Sequence, residues 1–322
     1  MLRSSARGTV SVLFACALSA GTLLLGSCGG GGSMSTSMSM STLNLGLTDA
    51  PVSGVTKVWI QFTGVEVKPV GGNAIDFMFS PEKGFDLLSL QGGTTATFLN
   101  GNAVPPGQYE WVRLMVDTNP GASYAMDSTG QHDLTIPSGA ETGLKLIQGF
   151  TMPVGGVASF TVDFVLSKSL IAPQGLSPDY LLKPVLRLVD NTQVGTISGT
   201  FAASTLSNPS NTNCTSRPPV VYVYAGAGVT PDDIFNPPAG TTDMDPTSSA
   251  EPLTTATAAL NSMNDYAYSI AFLPAGTYTV AFTCDPDDPS IDESALNPDP
   301  IHFVVYPTAV MVTTNMTSMV NF

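Results

Sequence analysis

Histidine, cysteine and tryptophan are scarce in this 322-residue chain, which has two His, four Cys and two Trp. His132 and His302 stand in no metal or nucleophile motif, and no G-x-S-x-G, H-E-x-x-H, phosphate-loop or dinucleotide string occurs, so no catalytic residue is assigned. Positive charge is also short, at 11 Lys+Arg against 25 Asp+Glu. Phosphate recognition needs clustered cations, so nucleic acid is excluded as a partner. Charged residues make up only 11% of the chain, which leaves few of the side chains that favour exposed helix. What is abundant is apolar residues, at 43%, with 31 Gly and 25 Pro to make turns. That composition fills a core and punctuates it often, and it points to an all-β protein.

The N-terminus is the most specific stretch. Arg3 and Arg7 precede an apolar run from Val10 to Gly26 that ends in Leu25-Gly26-Ser27-Cys28. A basic start, a short apolar run and small residues mark an export signal, and the run is too short for a spanning helix. L-G-S-C resembles the bacterial lipobox, which implies a signal peptide over 1–27 and a lipidated Cys28, with palmitate-type chains anchoring the mature protein to a membrane. Each buried methylene contributes roughly 0.8 kcal/mol, so two or more chains make release slow. The competing reading is an ordinary secretory signal with an incidental cysteine. Residues 28–42, with four glycines and a Ser/Met alternation, read as a flexible tether. Gly29 in place of Asp implies, by the sorting rule of Gram-negative lipoproteins, the outer membrane. Loss of Arg3 and Arg7 leaves nine bases against 25 acids in the mature form.

About 295 mature residues suit two domains. Between Cys28 and Val194 there are 13 acids and eight bases; from Gly195 to Phe322 there are 12 acids and one base, Arg217. The boundary is therefore set at the polar stretch Asp190 to Gln193, giving domains 43–193 and 194–322, the second acidic. Strand-favouring runs in the first are Leu43–Leu47, Val55–Val67, Tyr109–Val116, Leu144–Phe150, Ala158–Leu166 and Tyr180–Val189, with a helical turn at Phe85–Leu90. The second offers Thr196–Ala203, Val220–Tyr224, Ala267–Leu273, Thr277–Thr283, Ile301–Tyr306 and Ala309–Thr314.

Seven strings occur in order: L-G-L-T-D-A-P (45–51), V-W-I-Q-F-T-G-V-E-V (58–67), F-D-L-L-S-L (85–90), P-P-G-Q-Y-E-W-V-R-L (105–114), L-K-L-I-Q-G-F (144–150), S-F-T-V-D-F (159–164) and L-K-P-V-L-R-L (182–188). Together they resemble the bacterial family known as DUF4382. The resemblance implies a β-rich exported domain, often found behind a lipoprotein signal, and transfers no catalytic residue. In the second domain, Leu273-Pro274-Ala275-Gly276-Thr277-Tyr278-Thr279-Val280 resembles the late hairpin of prealbumin-like and carboxypeptidase-regulatory-like β-sandwiches, which implies a turn at Pro/Gly and a tyrosine entering the core. Pro105-Pro106-Gly107-Gln108-Tyr109 has the same form, read as shared turn chemistry. The fold expected is two β-sandwich domains in tandem.

Candidate sites follow from the polar residues inside strand patterns. Asp49, Arg113 and Asp163 would form a binding cluster if gathered at a sheet edge; the competing reading puts Asp49 in an Asx-type turn and pairs Arg113 with a carboxylate on a neighbouring strand. Cys16 leaves with the signal and Cys28 is taken by lipid. Cys214 and Cys284 remain, an even pair in an exported domain, and so a disulfide. Asp285, Asp287, Asp288 and Asp292 crowd one loop and are candidate Ca²⁺ ligands, although Ser290 and Leu296 stand where an EF-hand has its Gly and Glu. A solvated acidic loop is the plainer reading, and no cofactor is otherwise called for.

The function expected is a non-catalytic, lipid-anchored envelope module that binds a glycan, a peptide or an envelope protein, or serves as a structural surface element. Two alternatives stay open. One is a subunit of a fimbria-like assembly joined through open sheet edges. The other is a carboxylate-dependent polysaccharide hydrolase, since two acids several ångströms apart suffice for that chemistry.

Overall fold

The computed structural model describes residues 39–52, 54–137, 143–173, 177–208, 214, 217–232, 234, 251–285 and 301–322. Residues Met38–Phe322 form one compact unit.

Among the described residues, thirteen strands occupy the first half. They are β1 (Ser41–Asp49), β2 (Lys57–Pro69), β3 (Ile75–Asp86), β4 (Ala96–Val104), β5 (Gly107–Val116), β6 (Tyr124–Asp127) and β7 (Gly130–Thr135), then β8 (Leu144–Leu146), β9 (Phe150–Met152), β10 (Val157–Phe164), β11 (Leu170–Ile171), β12 (Tyr180–Leu182) and β13 (Leu186–Asp190). They build two sheets. The smaller has the order β13-β10-β1-β4; the larger runs β11-β12-β7-β6-β2-β5-β8, with β3 on β2 and β9 on β5. β1 lies parallel to β10 and antiparallel to β4, so the chain enters the fold on an inner strand. The alternation expected of a half-buried strand is clear in β2, where Val58, Ile60, Phe62, Val65 and Val67 are each fully buried. Those side chains meet Leu43, Leu45 and Leu47 of β1 in one core drawn from both sheets. At its centre Phe98 meets Phe62 edge-on, with ring centroids 4.8 Å apart.

The second half carries β14 (Val194–Thr200), β15 (Val220–Ala225), β16 (Thr254–Thr257), β17 (Ala259–Leu260), β18 (Tyr266–Pro274), β19 (Gly276–Thr283), β20 (Val304–Val305), β21 (Val310–Val312) and β22 (Thr317–Met319). Again there are two sheets, β17-β18-β14-β22 and β16-β15-β19-β20, with β21 on β19. Their shared core runs from Ile197 to Val320 and includes Cys284. Cys214 and Cys284 are joined as a disulfide across 70 residues of sequence. Gly199 shows why β14 needs a residue without Cβ: a Cβ there would stand 1.7 Å from the Val320 carbonyl oxygen. The C-terminal Phe322 stacks on Phe201 at 5.3 Å and closes this core.

The two Pro/Gly-Tyr strings do the same job in both halves, and it is not the hairpin expected. β4 and β5 belong to different sheets, as do β18 and β19, so each string carries the chain across the sandwich. Tyr109 donates its hydroxyl to the Pro105 carbonyl at 2.8 Å, and Tyr278 to that of Pro274 at 2.6 Å. Each phenol thus pins its own corner four residues back, with the ring in the core, as tyrosine corners do.

Two short helices, α1 (Leu166–Ser169) and α2 (Ala203–Leu206), and a 3₁₀ turn at Leu87–Leu90 complete the described structure. Asp86 caps the 3₁₀ turn by accepting from the Leu88 N–H at 3.3 Å. The expected strands at 144–150 and 180–189 are each interrupted, by 147–149 and 183–185. In the first gap the chain leaves β5 and rejoins it, β8 and β9 both lying on β5; in the second it changes sheets, β12 pairing with β7 and β13 with β10.

Candidate functional site

Asp163 sits on β10 opposite Arg187 of β13 and next to Thr48 of β1. Arg187 donates from Nε to Asp163 Oδ2 at 3.0 Å and also from Nη2, and both side chains are largely buried, at 20% and 6% exposure. Burial pushes the Asp163 carboxyl up from its ordinary value, while the guanidinium acts in the opposite direction. Asp49 ends β1 close by. It accepts the Leu166 N–H on Oδ1 at 3.4 Å, and its buried Oδ2 has no hydrogen-bond partner among the described residues. Burial first, then the neighbouring Asp163 charge, hold its carboxyl well above the usual range.

The expected cluster of Asp49, Arg113 and Asp163 is thus only half assembled. Asp49 and Asp163 are neighbours on parallel strands, whereas Arg113 lies on β5 of the other sheet, directly opposite Glu66 of β2, and forms an ion pair with it. The cation beside Asp163 is Arg187. Asp49 is not in an Asx turn either: its carboxylate reaches 117 residues along the chain to the first amide of α1. That contact ties the end of β1 to the segment after β10.

The pair Asp163–Arg187 lies where the two halves meet. Arg187 is near enough to Tyr278 to act on its phenol, which burial pushes up and the guanidinium draws down. The Gln193 carbonyl accepts from Ala275 N–H at 3.3 Å, and Lys168 of α1 pairs with Glu251. Along the same seam runs a cleft of about 330 Å³, lined by Pro51, Val52 and Ser167 on one side and by Arg217, Tyr222 and Thr255 among others on the opposite side. Arg217, the lone base of the acidic half, faces this cleft. Its lining combines prolines, aliphatic groups, hydroxyls, the Arg217 guanidinium and the Asp285 carboxylate.

A second polar group, unforeseen in the sequence, centres on Asp127. Its Oδ1 accepts from Thr129 N and Oγ1, each at 2.7 Å, and lies 3.1 Å from His132 Nε2; Oδ2 accepts from the Tyr180 hydroxyl at 2.9 Å. These donors hold the Asp127 carboxyl far below the usual carboxylate range, the Thr129 hydroxyl contributing most. Burial and the adjacent carboxylate push the Tyr180 phenol up to about 12. His132 Nδ1 is 2.8 Å from the Pro178 carbonyl, so the β6–β7 turn is stitched to β12. The arrangement fixes a loop, and Tyr180 also lines a cleft of about 220 Å³ with Ile171 and Asp179.

Cys28 lies outside the described residues, as do Asp287, Asp288 and Asp292. Asp285 is described, and its Oδ2 accepts the His302 N–H at 2.8 Å. Among the described residues no group of three His, Cys, Asp or Glu side chains is placed to hold a metal ion. Nor is any helix among them long and apolar enough to cross a membrane.

With that geometry in hand, residues 40–184 match the model of a domain of unknown function, DUF4382. This stretch is a DUF4382 domain. Its match begins just before β1 and ends within the segment between β12 and β13, so Asp49, Arg113 and Asp163 lie inside it and Arg187 just beyond. No curated protein matches the chain. Similar solved structures include a leucine-rich repeat protein from Bacteroides thetaiotaomicron (12% identity, 88% of this chain and 26% of that one, TM-score 0.21) and the TIE protein of Bacillus anthracis (11%, 88% and 34%, TM-score 0.18). A minor pilin of Streptococcus agalactiae is also similar (10%, 87% and 94%, TM-score 0.17). The chain spans only about a quarter to a third of the first two.

Proposed function

We propose that this protein is a lipid-anchored module of the bacterial cell envelope, held at the outer membrane through Cys28, that binds rather than transforms its partner. The observation that carries the reading is the L-G-S-C string behind a short apolar run, followed by a Gly/Ser-rich tether that gives way within a few residues to the first strand of a DUF4382 domain. Support for binding over catalysis comes from how the perturbed carboxylates are used. Asp127 is consumed by its own loop, and Asp163 by Arg187. A glycan hydrolase needs two acids open to substrate, whereas Asp49 and Asp163 are 5% and 4% exposed. The seam cleft with Arg217 is the place we assign to the partner, a glycan, a peptide or an envelope protein that presents an acceptor to the guanidinium.

The test is mass analysis of protein taken from cell membranes. We expect an N-terminal peptide that begins at acylated Cys28, and a Cys28→Ala variant that leaves the membrane fraction. A free thiol at position 28 in mature, membrane-derived protein would overturn the reading.

A further inference from the structure

The strand order brings four uncharged segments to one end of the DUF4382 domain. They are the entry to β1 (39–40), the β2–β3 turn (70–74), the β4–β5 corner (105–106) and the β9–β10 turn (153–156), and none contains Asp, Glu, Lys or Arg. Hydrogen bonds hold them together: Ser41 Oγ donates to the Pro153 carbonyl, Thr42 N–H to that of Gly156 at 2.8 Å, and Val70 N–H to that of Gln108 at 2.9 Å, while Gly107 pairs with Met152. Their apolar side chains face outward. Met40 is 49% exposed, Val70 56%, Val154 77% and Val157 64%. In a chain with 25 acids, an end with exposed valines and no carboxylate is a marked local departure. Lys68 of β2 is turned onto the Gly72 carbonyl and Asp190 onto Thr192, and the exposed Glu110 stands three residues into β5.

What covers this end follows from the chain that leads into it. Ser39, where the described structure begins, lies 11 positions after Cys28. Covalent geometry limits the reach of that many residues to about 38 Å. On the lipid-anchored reading proposed above, the end bearing Met40 is therefore the part of the fold held against the bilayer. The geometry points to a membrane-docking face: Met40, Val70, Val154 and Val157 rest in the interfacial region of the lipid surface that holds Cys28. The second half continues this end. Asn191 N–H donates to Ser159 in β10, two residues from Val157, and Asn315 N–H donates to Val194, which places the uncharged turn 313–316 with its exposed Met316 beside the linker. Backbone amides and apolar side chains enter a headgroup layer at little cost, whereas a carboxylate would be repelled there by anionic lipid. The acidic remainder is left in water, and the docked end fixes which way the seam cleft faces.

The experiment uses full-length lipidated protein in phosphatidylcholine vesicles. Single cysteines at Val154→Cys and Val70→Cys carry an environment-sensitive fluorophore, and Thr118→Cys, in the turn at the opposite end of β5, serves as control. Flotation with the vesicles is read first, then the emission shift and quenching by nitroxide-labelled lipid. We expect flotation of all three, with a shift to shorter wavelength and several-fold greater quenching at Val154 and Val70 than at Thr118. Flotation with equal quenching at the three positions overturns the docking face and leaves the anchor standing. Failure to float overturns the anchor and the docking face with it.

Discussion

Reducing the Cys214–Cys284 disulfide should cost the second half of the molecule much of its stability and leave the first half almost untouched. The bridge closes a loop of 70 residues. In the chain-entropy treatment a loop of that length removes about 15 cal/mol/K from the unfolded ensemble, or about 4.4 kcal/mol at 25 °C. For a unit of this size each kcal/mol moves the thermal midpoint by about 3–5 °C, so the loss amounts to about 15 °C. Reduction is a cleaner perturbation than substitution, because the sulfurs stay in place and Cys284, 2% exposed, leaves no cavity. The two halves can be read apart. Both tryptophans, Trp59 on β2 and Trp111 on β5, belong to the DUF4382 half. Calorimetry of protein refolded with and without reductant should therefore show one transition falling by about 15 °C, while the tryptophan-detected transition stays within a few degrees. A calorimetric shift below about 3 °C would refute the loop-entropy reasoning. A tryptophan transition that falls in step would refute the independence of the two cores.

Other expectations are equally direct. Arg187→Met leaves Asp163 buried without its cation and should cost about 3–5 kcal/mol in urea unfolding, with most of it recovered in the Arg187→Met/Asp163→Leu double variant; an additive double variant would mean that the pair carries no coupling. Asp49 has a raised folded pKa, so its contribution is fully present below the unfolded value and is lost as pH rises through the folded one. Asp49→Asn keeps an acceptor for Leu166, and its stability relative to wild type should therefore improve from pH 5 to pH 8, read as urea midpoints; a constant difference would count against the buried carboxyl. Tyr109→Phe and Tyr278→Phe each remove one corner hydrogen bond, worth about 1 kcal/mol, and only the first should move the tryptophan-detected midpoint. Gly199→Ala drives a Cβ into the Val320 backbone and should release β22 and Phe322, visible as loss of amide protection over the last six residues, whereas unchanged protection would mean that the strand can shift to make room.

The parts of the fold legible in the sequence are those whose information is local. β2 and β5 alternate because one face is buried and the other wetter, and the residues show it; β19 alternates in sequence through Tyr278, Val280 and Phe282, although both of its faces are buried from Tyr278 onward. β3 was invisible for an opposite reason. It carries Asp76, Pro81, Glu82, Lys83 and Gly84, which an interior strand tolerates poorly, but among the described residues it pairs with β2 alone, so a proline and charges cost little. β4 hides behind Asn100-Gly101-Asn102, a string that reads as a turn. In the sheet its Gly101 takes φ +73° where the pairing with β1 slips, so turn chemistry there makes a bulge and the strand continues.

The polar sites were less legible because each depends on strand register. Nothing near Asp163 in sequence marks Arg187 as its cation rather than Arg113; the choice is made by β13 lying beside β10 and β5 lying beside β2. Local rules placed Asp49 in a turn, since T-D-A-P has that chemistry, but the adjacent parallel strand brought the Leu166 amide within reach and took the carboxylate instead. The uncharged end depends on register in the same way. Its turns are separated by 30 residues or more and each is unremarkable alone, so their shared lack of charge becomes visible only when β1, β2, β4 and β10 set them side by side. Buried ion pairs and surface polarity are both properties of register: one residue of slip in β10 would turn Asp163 away from Arg187 and every buried apolar side chain of that strand with it. The core that fixes the register therefore also fixes where the charge goes, and an acidic chain can keep one end free of carboxylates only as securely as its strands are held in place.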